Sequence, residues 1–131
     1  MDINYVVVGK FYSSKYALNC KTTTDDVILT NGQLIHIADK HPEVLKYFKK
    51  IKQILNDPDM ILKEIKMIDT IWLIKEFDNN VKVTIKLNTI KHGKSDYKNS
   101  IIQMQYLDTE RILKYLKSNR VLKVFAKEKV I

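Results

Sequence analysis

The chain of 131 residues is short of cysteine, of acidic side chains and of long apolar runs, and each shortage excludes something. Cys20 stands alone, so neither an internal disulfide framework nor a multi-cysteine zinc site can form, which suits a reducing compartment. No stretch approaches the roughly 20 apolar residues that a membrane-spanning helix needs. The start, MDINYVVVGKFYSS, has no basic segment ahead of its short apolar run, so a soluble, intracellular protein is expected. Internal repeats and low-complexity linkers are also missing, and the length suits one core. A single domain over 1–131 is expected.

Fifteen Asp and Glu face 23 Lys and Arg, a net charge of +8 and an isoelectric point near 9.5. The natural counterpart of such a surface is a polyanion, although chains rich in Ile, Lys and Asn commonly carry it without one.

The run NYVVVGKF predicts a strand, and YSSKYALNCKTTTDD predicts loop with a second short strand. After VILT, Thr30 and Gln33 form a capping box for a helix from Asn31, with Leu34, Ile35, Ile37 and Ala38 on its apolar side. Pro42 ends that helix at His41 and opens a second, PEVLKYFKKIKQIL, with Val44, Leu45, Phe48, Ile51 and Leu55 as its buried stripe. NDPD closes it. From TIWLIKEF onward the period becomes two, and a DNN turn leads into VKVTIKL. There Val81, Val83, Ile85 and Leu87 take one face, and Lys82, Thr84 and Lys86 the other. NTIKHGKSDYKN reads as a mobile loop, SIIQMQYL as a strand, and Asp108 as the cap of TERILKYLKS, with Leu107 and Ile112 as a hydrophobic staple. Asn119 stops that helix before a last strand, VLKVF. The order predicts an α+β fold with its helices gathered on one face of an antiparallel sheet.

Histidines that share a metal on a helix sit three or four apart. His36 and His41 are five apart, which turns the rings roughly 140° from each other. No acidic or cysteine cluster adds ligands, so no metal or other cofactor is expected. His41 is the candidate N-cap of the second helix, where unpaired N–H groups favour anions. Two differently held imidazoles beside such a site suit proton transfer. The plainer reading is a solvated helix residue and a boundary residue before proline. Lys86 could stabilise a phosphorane, and Tyr97 and Ser100 could hold a phosphate or base, though each also fits an ordinary surface or turn. His92 has no evident partner and is expected to face solvent. Trp72 reads as core.

YVVVGKF, VILT…LIHIADKHPEV, ILNDPDMI, WLIKEFDNNVKVTIKL and YKNSIIQMQYL together resemble the phage-associated branch of the barnase/EndoU/colicin/RelE-like nucleases (PBECR), from about Asn4 to about Val124. The sequence departs from the pattern at NDPD, where Asp57 is inserted before Pro58. The resemblance implies helices ahead of a curved antiparallel sheet, with the active site on the sheet's open face. It further implies metal-independent RNA cleavage, and a setting in phage or prophage: a host cytoplasm or a virion. The residues it implies as catalytic are His36, His41, Lys86 and Ser100; Tyr97, Asn99, Gln103 and Thr84 are the substrate contacts expected beside them. RNA is the implied partner, and a toxic nuclease would also need an immunity or antitoxin protein. The rival reading keeps the fold and basic surface as a non-catalytic RNA- or protein-binding module.

Overall fold

A computed structural model describes residues 4–127; of the expected domain, 1–3 and 128–131 lie outside the described residues. Seven strands form one sheet: β1 (Tyr5–Lys10), β2 (Asp26–Thr30), β3 (Met60–Glu64), β4 (Thr70–Glu76), β5 (Asn80–Lys86), β6 (Asn99–Tyr106) and β7 (Val121–Ala126). Their order is β1-β2-β6-β5-β4-β3-β7, with β2 and β6 parallel and every other pair antiparallel. Strand β1 bulges between Val7 and Gly9, and a Cβ at Gly9 would lie 2.9 Å from Leu55 Cδ1, so glycine lets the helical layer approach this edge.

α1 (Asn31–Lys40) starts where the backbone N–H of Gln33 donates to Thr30 Oγ1 at 3.1 Å. The next stretch, Pro42–Lys50, winds as a 3₁₀ helix before α2 (Ile51–Asn56). That tighter winding changes the buried set. At three residues per turn Val44 and Tyr47 stack on one side and are buried, whereas Leu45, expected in the stripe, is exposed. Ile35 is exposed too, because α1 buries only Ile37 fully. These three segments pack with Ile71, Leu73, Val81, Val83, Ile85, Ile101 and Met104 in the main core, which sets the covered face of the sheet.

The helices do not all gather there. α3 (Thr109–Lys117), capped by Asp108 Oδ1 on the N–H of Arg111 at 2.9 Å, lies on the opposite face. Its Ile112, with Leu107 and Val121, covers Leu62, Trp72 and Ile74, the residues that alternate with the main-core positions of β3 and β4. Burying a side chain such as Ile112 stabilises by about 1.5–3 kcal/mol, enough to hold this short helix on that patch. Strand β3, MILKE, goes unseen in the sequence, whereas the Asn119 stop (φ 58°) and the final strand stand where the sequence puts them. Among the described residues α3 is the only helix on this second face, called the open face below, and along it run Lys82, Thr84 and Lys86 of β5, the first two buried and the last exposed, with Gln105, Gln103 and Ser100 opposite them on β6. Among the described residues no helix is long and apolar enough to cross a membrane.

Candidate active site

The segment between β5 and β6 reads as mobile from its composition, but side chains pin it. Asn88 Nδ2 donates to the carbonyls of Lys94 (2.8 Å) and Tyr97 (3.1 Å) and to Thr23 Oγ1 (2.7 Å), while its Oδ1 accepts the N–H of Lys94 at 3.0 Å. Asn99, expected to touch substrate, is wholly buried. Its Oδ1 takes the N–H of Asn88 at 2.8 Å and its Nδ2 donates to the carbonyl of Thr24 at 2.9 Å, so both ends of the amide serve the backbone. Gly93 is required at the bend, since a Cβ there would meet Asn88 Oδ1 at 2.3 Å and the carbonyl of Thr89 at 2.5 Å.

The pinned loop delivers His92, expected to be solvent-facing and partnerless, to Asp69. Nδ1 of the half-exposed ring lies 3.3 Å from Asp69 Oδ2, and the hydroxyl of Thr89 donates to the same oxygen at 2.9 Å. Asp69 is buried and adopts φ 58°, a left-handed conformation that Asp tolerates better than most residues. Its own carbonyl accepts the N–H of Leu87 at 2.8 Å. Because the register pairs Thr70 with Lys86, Asp69 stands at the end of β5. Lys86 donates to the carbonyl of Ile68, and Ser100 is its partner across β6.

Asp69, Lys86, His92, Lys94, Tyr97 and Ser100 line a cleft of about 220 Å³. Lys98 also borders it, but its ammonium is bound to Asp26 Oδ2 at 2.9 Å, a hydrogen bond that pulls the Asp26 carboxyl below its usual range and pushes Lys98 up. Lys86 and Lys94 form no ion pair among the described residues, and both line the cleft together with the buried Asp69. The Ser100 hydroxyl likewise makes no hydrogen bond among the described residues.

His36 and His41 are elsewhere. α1 packs through Ile37 on the covered face, whereas Lys86 and Ser100 belong to the open face. His41 Nδ1 is 3.3 Å from Glu43 Oε1, and the carbonyl of Glu43 accepts the hydroxyl of Tyr106, at the far end of β6 from Ser100. Six residues of strand span about 20 Å. The ring of His41 does not cap the following helix, and the Glu43 carboxylate occupies its first turn, where an anion was expected. The structure therefore brings together Lys86, Ser100 and Tyr97 with His92, and not with the other two histidines.

Thr84 and Gln103 form a separate network. Gln103 Oε1 accepts Lys82 Nζ at 3.0 Å and lies 3.4 Å from Thr84 Oγ1, and Gln103 Nε2 donates to Gln105 at 3.4 Å. Lys82 is only 4% exposed, and its ammonium sits 4.1 Å from the centre of the Trp72 ring. Burial lowers its pKa from 10.5 to about 8, opposed by the nearby Glu64 carboxylate and helped by the like charges of Arg111 and Arg120. Between those two values the unfolded chain holds a proton that the folded one has lost, so stability rises with pH across that window; below it the burial cost is present in full. Such a shift corresponds to about 3 kcal/mol. Lys82→Met is expected to raise stability at pH 7 by about 1–3 kcal/mol and to abolish the rise between pH 8 and 10. Urea unfolding of both proteins at several pH values checks this, and parallel pH profiles would contradict it.

Among the described residues no group of three or more His, Cys, Asp or Glu side chains is placed to hold a metal ion. Compared with known families, the chain matches a family model described as phage-Barnase-EndoU-ColicinE5/D-RelE like nuclease3 over residues 6–105. That span contains every residue of the cleft and ends before α3. Comparison with curated proteins and with solved structures gave no match.

Proposed function

The chain belongs to the phage-Barnase-EndoU-ColicinE5/D-RelE-like nuclease family, and on that premise we propose that it is a metal-independent endoribonuclease working in the Lys86–Ser100 cleft. The observation that carries this reading is the His92–Asp69 pair standing beside a lysine that has no ion pair, and a serine hydroxyl that has no hydrogen bond, among the described residues, on the open face of the sheet. Nδ1 of His92 faces Asp69 Oδ2 at 3.3 Å, which leaves Nε2 for substrate. That atom accepts the proton of a ribose 2′-hydroxyl as the 2′-oxygen bonds to the adjacent phosphorus. The bond from phosphorus to the 5′-oxygen breaks, leaving a 2′,3′-cyclic phosphate on one fragment and a 5′-hydroxyl on the other. Lys86 offsets charge that builds on the phosphoryl oxygens and transfers one of its protons to the departing 5′-oxygen, both it and His92 then recovering their starting protonation by exchange with solvent, while Ser100 and Lys94 hold the phosphate in place.

The proposal stands or falls on purified protein incubated with RNA in EDTA, followed by identification of the new ends. Expected are cyclic phosphate and 5′-hydroxyl ends, with no cutting where the ribose at the scissile position is 2′-deoxy. Cleavage of the deoxy substrate, or activity lost with EDTA, contradicts the mechanism. Salt-sensitive RNA binding without any cutting would favour the non-catalytic binding module instead.

A further inference from the structure

The cleft continues past Ser100. Tyr97, Lys98 and Ser100 are shared with a second groove of about 230 Å³, whose other walls include Tyr5, Ile28 and Thr30. Register explains the juxtaposition: Tyr5 pairs with Thr30 across β1 and β2, and Ile28 pairs with Ser100 across β2 and β6, so these side chains share the open face.

The two concavities differ in chemistry. The first carries Lys86 and Lys94, which form no ion pair among the described residues, beside a hydroxyl, whereas in the second the Lys98 ammonium is bound to Asp26 and the floor is the apolar Ile28. The exposed groups there are two tyrosines, Tyr5 at 46% and Tyr97 at 58% exposure, and the carboxylate of Asp96 on the loop wall. Neither ring stacks on another aromatic ring among the described residues, and the Lys94 ammonium lies 5.2 Å from the centre of the Tyr97 ring. Flat π surfaces over an apolar floor, next to a phosphate-sized cationic cleft, suit a planar heterocycle attached to a phosphodiester chain.

We propose that this groove is a nucleobase subsite, in which one unpaired base of a bound RNA strand stacks on Tyr5 and Tyr97 while its neighbouring phosphate occupies the Lys86–Ser100 cleft. The identity of the strand as RNA rests on the nuclease reading above. A base within a duplex is already covered on both faces by its neighbours and cannot enter. The groove therefore makes the protein selective for single strands.

The test uses the full chain and short 2′-O-methyl RNA, which lacks the nucleophile, so that binding is read without cleavage. Fluorescence anisotropy is measured on the intact oligonucleotide, on a series with one abasic residue moved along it, and on the corresponding duplex. One abasic position is expected to weaken binding about tenfold or more, the loss of one base–aromatic stack. Tyr5→Ala weakens binding of the intact strand and shrinks the abasic penalty, Tyr5→Phe preserves both, and the duplex binds at least as poorly as the abasic strand. A flat abasic series with the unaltered protein, an unaffected Tyr5→Ala variant, or equal binding of duplex and single strand overturns the subsite. Because nothing is cut, base-dependent binding by a protein that never cleaves RNA upholds the subsite and refutes the nuclease. Cleavage with a flat abasic series does the reverse.

Discussion

His92→Ala is expected to lower the rate of RNA cleavage by about 10²- to 10⁴-fold, the ordinary worth of a positioned proton-transfer group. His36→Ala and His41→Ala are expected to leave the rate near that of the unaltered protein. The contrast follows from position. His92 is held by the buried Asp69 on the open face, where Lys86 and Ser100 also lie. His36 and His41 belong to α1 and its exit, on the covered face, and His41 is engaged with Glu43 near the opposite end of β6. Asp69→Asn separates orientation from charge. It keeps an acceptor for Thr89 and a residue that tolerates the left-handed backbone, but removes the carboxylate charge beside the ring. Initial rates on a fluorogenic RNA check the series. Equal rates for His92→Ala and the unaltered protein would return that ring to a structural role.

Lys86→Ala is expected to reduce kcat by about 10²- to 10³-fold with a smaller effect on KM, because charge on the phosphoryl oxygens is greatest in the transition state. The ammonium is placed by its bond to the carbonyl of Ile68, a neutral acceptor that leaves its charge undiminished and two further N–H groups for substrate. Lys94 lines the same cleft on the pinned loop, so part of the phosphate binding survives the substitution. Lys86→Arg retains the charge but replaces a compact ammonium with a planar fork, and an intermediate rate is expected. Steady-state kinetics distinguish this from simple weakening of binding: a raised KM at unchanged kcat would make Lys86 a ground-state phosphate contact only.

Local features of the fold were legible because their causes are local. The Thr30 and Asp108 caps each bond an N–H three residues on, and the Leu107–Ile112 staple spans one turn. Alternation along β5 separated Val81, Val83 and Ile85 from Lys82, Thr84 and Lys86 correctly. Features that depend on distant partners were not legible. Strand β3 is five residues long and draws its identity from β4 on one side and β7, some sixty residues later, on the other. α3 crosses to the open face because Trp72, Leu62 and Ile74 leave an apolar patch there, a fact that only the assembled sheet reveals. The 3₁₀ winding of Pro42–Lys50 defeated a stripe read at the α-helical period, which is why Leu45, expected in it, is exposed.

The cleft lies between these cases. Lys86, Ser100 and Tyr97 flank one connection, and strand alternation places the first two on a shared face. His92 sits inside that same connection, so its nearness to them could have been inferred from a short loop having to return between adjacent strands. Asp69 could have followed from the hairpin. Once Glu76 stands opposite Asn80, antiparallel pairing carries Thr70 opposite Lys86, with Asp69 the residue before it. What no pattern announced was the pair of asparagines, Asn88 and Asn99, whose amides fold the loop inward and turn a composition typical of a mobile segment into a scaffold. The motif that drew attention instead, a histidine pair closed by proline, lies where α1 meets a second helical segment, on the face that the helices cover.

The chain has three histidines, and the central claim is that only one of them meets substrate. Their ring proton and carbon resonances can be followed by NMR while a non-cleavable 2′-O-methyl oligonucleotide is added, with assignments made by single substitution. The expected result is a saturable shift of the His92 signals, and of the Lys86 side chain with them, while His36 and His41 stay in place. Saturable shifts at His36 and His41 with His92 unmoved would place the nucleic acid on the other face of the sheet and contradict the assignment of the site.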